Sequence, residues 1–132
     1  MGGGNKSESQ KKNNQDFIMI YIGFSTRSHK ISARILCKKY RHCAPVLITQ
    51  DKCIMYQFIA RGKISLIALR LKDLNMLKHY GWKFIKYDCN FTPALKSKSY
   101  TCVQFTKQSI GINKITIQTP NTLLKYLKRK SL

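Results

Sequence analysis

Apolar residues in this chain come in short runs divided by polar connections, and their period switches between two and about 3.6 residues along the sequence. Residues 17–24 are almost wholly apolar, with Asp16 in front and Gly23 near the end, which predicts a strand buried on both faces. Ser28 can then cap a helix over 31–39, with Ile31, Ile35 and Leu36 inward and Lys30, Arg34, Lys38 and Lys39 outward. Residues 43–49 and 53–60 bracket the polar Gln50-Asp51-Lys52 and predict a hairpin, and Arg61-Gly62 turns the chain into a third antiparallel strand over 63–70. Pro45 cannot donate to a ladder, so its strand is expected at a sheet edge or at a bulge.

The second half returns to helical spacing. Residues 71–80 carry Asp73 in the first turn, Leu74 and Leu77 as inward positions with Met76 beside them, and Gly81 as a stop. Residues 82–88 alternate aromatic and aliphatic side chains with lysines and predict another strand. A polar loop containing Pro93 follows over 90–98. Thr101 is positioned as an N-cap, Val103, Phe105, Thr106 and Ile110 recur at near-helical spacing, and Gly111 can close that helix. Thr119-Pro120 reads as N-cap and first helical residue of a last helix over 121–130, with Leu123, Leu124 and Leu127 inward and a basic end. These elements predict an α+β domain over 16–132: a small antiparallel sheet of about five strands packed against the helix that bears Cys102.

Composition narrows the picture. With 132 residues the chain makes one domain with a real core, while residues 1–15 lack apolar side chains after Met1 and are expected to be a disordered tail. The formal net charge of +20 is spread as lysines along the whole length and would draw anionic partners, nucleic acid or anionic lipid surfaces among them. A lysine-, asparagine- and isoleucine-rich composition also follows from a generic sequence bias, so charge alone does not choose a partner. Lys6 stands where N-myristoylation after Met1-Gly2 requires a hydroxyl residue. No apolar run is long enough to span a membrane, no secretory h-region is present, and five cysteines make an odd set; reduced thiols in a cytosol-like compartment are expected. Cys37, Cys43, Cys53, Cys89 and Cys102 lack the close pairing that zinc sites use, so neither a metal nor any other cofactor is expected.

Candidate chemistry centres on Cys102, in the first turn of its helix. There the unsatisfied amides and the positive end of the dipole favour thiolate, the form that attacks a carbonyl carbon, and the amides can hold an oxyanion. His42, at the start of a strand, is the base proposed by residue type. His29 and His79 are read as a surface group and a helix C-terminal cap. A base that precedes the nucleophile by several strands, together with Cys102-Val103, Ile110-Gly111-Ile112 and Thr119-Pro120 in that order, resembles the circularly permuted papain-like superfamily, which includes lecithin:retinol acyltransferase-like proteins and relatives from phages and large DNA viruses. The resemblance implies a thiol-dependent hydrolase or acyltransferase acting on an amide, ester or thioester, in the cytoplasm or a virion. It also implies a polar orienting residue on the strand after the histidine: Gln57, whose amide oxygen can accept from the imidazole, is preferred to Tyr56. Tyr100 could lend a hydroxyl near the oxyanion, and Cys37, Cys53 and Cys89 are read as packing residues. The alternative is a basic binding module without turnover, contacting nucleic acid or an anionic membrane surface. The acyl group, the acceptor and the oligomeric state are left open.

Overall fold

β-branched and aromatic side chains in alternating order build most of the sheet. A computed structural model describes residues 19–26, 40–50, 52–60, 63–95, 99 and 101–130. The tail, the helix expected over 31–39 with His29 and Cys37, the Arg61-Gly62 turn and Tyr100 lie outside the described residues. Strands β1 (Met19–Ser25), β2 (His42–Ile48), β3 (Cys53–Ala60), β4 (Lys63–Leu69) and β5 (Lys83–Lys86) form one antiparallel sheet in the order β4-β3-β2-β1-β5. The helices are α1 (Leu71–His79), α2 (Cys102–Ile110) and α3 (Pro120–Lys130), so the described fold is α+β. None of them is long and apolar enough to cross a membrane, among the described residues.

The apolar run that forms β1 sits inside the sheet, between β2 and β5, and side chains pack on both faces of that sheet. Ile20, Ile22 and Phe24 point to the face covered by Val103 and Ile110 of α2 and by Leu123, Leu124 and Leu127 of α3. Complete burial of side chains such as Ile22, Phe24, Leu123 and Leu127 contributes about 1.5–3 kcal/mol each. The other face is thinner: Ala44, Val46, Ile48, Cys53 and Met55 meet Leu74 and Leu77 of α1 together with Tyr21, Trp82 and Phe84. No residue of α1 is fully buried, and Met76, at the margin of the expected inward set, is exposed.

Local chemistry sets the helix boundaries. Thr101 caps α2 by accepting the Gln104 amide at 3.1 Å, and Gly111 ends it in the left-handed region at φ 78°. At α3 the pair Thr119 and Thr122 bond reciprocally, each backbone amide to the other's hydroxyl at 3.0 and 3.2 Å. Asn121 then reaches back to the chain just before β2: its side chain donates to the Tyr40 carbonyl at 3.1 Å and accepts from the Tyr40 amide at 3.3 Å. Lys107 Nζ donates to the carbonyls of Lys114 and Ile117, both at 2.8 Å, which holds the link between α2 and α3 against α2.

Pro45 corrects one expectation. Its strand is the middle one of five, with Pro45 opposite Ile22 of β1. A central position is tolerated because the pairing of β2 with β3 covers only Val46–Ile48 and stops where the missing N–H would be needed. From Pro45 back to His42 the two strands run without a ladder between them.

Candidate active site

That lapse in the ladder lies beside the start of α2. Cys102 is the first residue of the helix, and helix geometry leaves the amides of Cys102 and Val103 without intrahelical acceptors, the Gln104 amide being taken by the Thr101 cap. α2 rests on β2 and β3 through Phe105, which packs against Tyr56 and Phe58, and through Val103 in the main core. Packing along the whole helix therefore fixes where the sulfur sits.

His42 opens β2, opposite Ser25 of β1, and its ring meets the edge of Trp82 at 6.1 Å between centroids with planes at 90°. Its Nε2 is hydrogen-bonded to Oε1 of Gln57. An amide oxygen only accepts, so Nε2 carries the hydrogen and Nδ1 is the basic nitrogen of the neutral ring. Tyr56, weighed against Gln57 from the sequence, faces the opposite side of β3 and packs on Phe91 with ring centroids 5.3 Å apart. Burial pushes its phenol above the ordinary range.

Sulfur and imidazole come together. The Cys102 thiol is held well below the ordinary thiol range, first by a hydrogen bond from the Cys43 side chain. Burial opposes this effect, and a hydrogen bond from His42, the charge of that ring and the Cys43 backbone amide reinforce it. Burial instead raises the thiols of Cys53 and Cys89, with the Asp73 and Asp88 carboxylates adding to it. Cys102 is thus the cysteine with thiolate character among those whose shifts are resolved.

Cys43 is a further neighbour of the Cys102 sulfur. Alternation does turn it away from His42, toward α2, where its Sγ lies 3.6 Å from Oγ1 of Thr106. Because Cys102 stands over the start of the strand, both neighbours nevertheless reach its sulfur. The signal present in the sequence was Thr106, four residues after Cys102 and so on the same helical face. Trp82 was read only as a strand residue; it frames the histidine, stacked on Phe84 at 5.9 Å with planes 13° apart. Arg41, next to His42, buries its Nε without a hydrogen-bond partner among the described residues.

No described group of three or more His, Cys, Asp or Glu side chains could hold a metal ion. Compared with known proteins, the chain matches no family model, no curated protein and no solved structure. What the site can do is therefore read from its own atoms. They comprise a sulfur with thiolate character, an imidazole hydrogen-bonded to Gln57, and amides at a helix start that can receive negative charge.

Proposed function

We propose that the protein is a thiol-dependent hydrolase or acyltransferase, with Cys102 as nucleophile, His42 as general base and acid, and Gln57 as the residue that orients the imidazole. The observation that carries this reading is the hydrogen-bonded chain from Cys102 to His42 to Gln57. The Cys102 thiolate attacks the carbonyl carbon of an amide, ester or thioester, and the oxyanion forms against the Cys102 amide at the helix start. His42 then protonates the leaving group and takes a proton from water or another acceptor, which receives the acyl group from sulfur. The order of histidine strand, polar strand and cysteine helix is also the order of the permuted papain-like superfamily, which supports the same chemistry by analogy.

Iodoacetamide at neutral pH, followed by peptide mapping, provides the first test. Cys102 should react faster than Cys53 and Cys89, His42→Ala should slow it, and an activated thioester should leave an acyl adduct on Cys102 that Cys102→Ser lacks. Equal labelling of all three thiols, with no effect of His42→Ala, overturns the reading.

The net charge of +20 favours a second reading, a non-catalytic module on an anionic surface, with Lys128, Arg129 and Lys130 clustered at the exposed end of α3. Binding to duplex DNA or anionic vesicles should then fall steeply with salt. Negligible binding at low salt removes it.

A further inference from the structure

Acyl transfer leaves one sulfur of the site unused. Cys43 Sγ lies in hydrogen-bond contact with the sulfur of Cys102 and 3.6 Å from Oγ1 of Thr106, one turn further along the same face of α2. Both cysteines belong to a single apolar cluster around α2. Cys43 is 1 % exposed, whereas Cys102 keeps some contact with solvent. A small oxidant arriving from solvent therefore meets Cys102 first, and among the described residues the sulfur hydrogen-bonded to it is Cys43. Cys53 is buried in the cluster on the opposite face of the sheet. None of Cys43, Cys53, Cys89 and Cys102 is in a disulfide.

We propose that Cys102 and Cys43 form an oxidisable dithiol site that takes a hydroperoxide as its co-substrate and closes to an intramolecular disulfide. In the first step the Cys102 thiolate attacks one oxygen of hydrogen peroxide. An S–O bond forms, the O–O bond breaks, and the sulfur loses two electrons to become a sulfenic acid while hydroxide departs. In the second step Cys43 gives up its proton and attacks the Cys102 sulfur. The S–S bond forms, the S–O bond breaks, and hydroxide leaves with that proton as water. Two thiols and one peroxide thus yield one disulfide and two waters, and an external dithiol reverses the change. Cys43 is the resolving cysteine, and its burial keeps it in reserve for the one sulfur it touches. The site shares its attacking sulfur with the proposed acyl transfer but needs no acyl substrate.

The test treats the full-length protein with hydrogen peroxide and reads intact mass, peptide maps and Cys102 alkylation. The wild type should lose two hydrogens, give a peptide joining Cys43 to Cys102, and show alkylation of Cys102 reduced about tenfold or more until dithiothreitol restores it. Cys43→Ser should yield no such peptide; its Cys102 should be trapped by dimedone and then gain two oxygens that dithiothreitol does not remove. Cys43→Ala serves as a second variant, with circular dichroism confirming that each is folded. Over-oxidation of Cys102 at the same rate in wild type and variants, or a disulfide to a different cysteine, overturns the proposal. Acyl transfer without disulfide formation would sink only this inference; disulfide formation without acyl transfer would sink only the function proposed above.

Discussion

The Nε2 atom of His42 is hydrogen-bonded to the side-chain oxygen of Gln57 across the one stretch where their strands, β2 and β3, share no backbone ladder. The histidine is thus tied by side chains at the point where the sheet itself stops holding its two central strands together.

Loss of that tie should loosen the base without unfolding the sheet, because Gln57 lies outside the main cores. Gln57→Ala is expected to move the pH profile of iodoacetamide labelling at Cys102 up by about one unit, so that labelling slows by up to about tenfold at pH values below the thiol pKa. Gln57→Glu should restore it, since a carboxylate accepts from the ring and also favours its protonated form. Unchanged labelling in the alanine variant would show that Gln57 is only an ordinary polar side chain.

The depressed Cys102 thiol also predicts how stability depends on pH. A group whose folded pKa lies below its unfolded value contributes stability in full above the unfolded value, about 8.5 for a thiol, and loses it as pH falls through the folded value. The stability difference between wild type and Cys102→Ser should therefore narrow as pH is lowered. Urea unfolding of both proteins across that range checks the sign; a difference that widens on acidification contradicts the thiolate assignment.

Capping at the site helix can be tested apart from chemistry. Thr101→Ala removes the acceptor of the Gln104 amide and should cost about 1 kcal/mol, lowering Tm by roughly 3–6 °C. Thr101→Ser should recover most of it. A calorimetric Tm unchanged in the alanine variant would place the cap outside the stability of the fold.

Gly23 lies against the ring pair that borders the histidine. A Cβ there would stand 2.8 Å from Cε1 of Phe84 and 3.0 Å from the ring of Trp82, whose edge meets His42. Gly23→Ala should destabilise by about 1–3 kcal/mol and displace the stacked pair. Trp82 is the chain's single tryptophan, so its fluorescence reports the displacement directly, and Cys102 labelling should slow in parallel. A native emission spectrum in Gly23→Ala would show that the ring pair is free to yield.

Much of the frame was legible because its signals are local. Thr101 and Gly111 bracket α2 as capping chemistry dictates, Thr119-Pro120 starts α3, and the polar break after residue 49 separates β2 from β3. What escaped depends on contacts between distant segments. Pro45 argued for an edge or a bulge; the strand is central, and the proline is tolerated because the ladder ends beside it, a property of the pairing of two strands that neither reveals alone. Cys43 escaped because period two says which face a side chain takes but not what hangs over the strand's end. The low thiol pKa was expected from the helix start; the causes that dominate it are Cys43 and His42.

Cys102 lies on the far side of the whole sheet in chain order, after β5, while His42 opens β2. A ribosome therefore releases the histidine and all five strands before the sulfur emerges, and the sulfur gains its neighbours only when its helix docks. Until that moment the growing polypeptide carries a thiol of ordinary pKa. The lowered thiol pKa arrives together with the native state, because the groups that set it come from segments far apart in the chain.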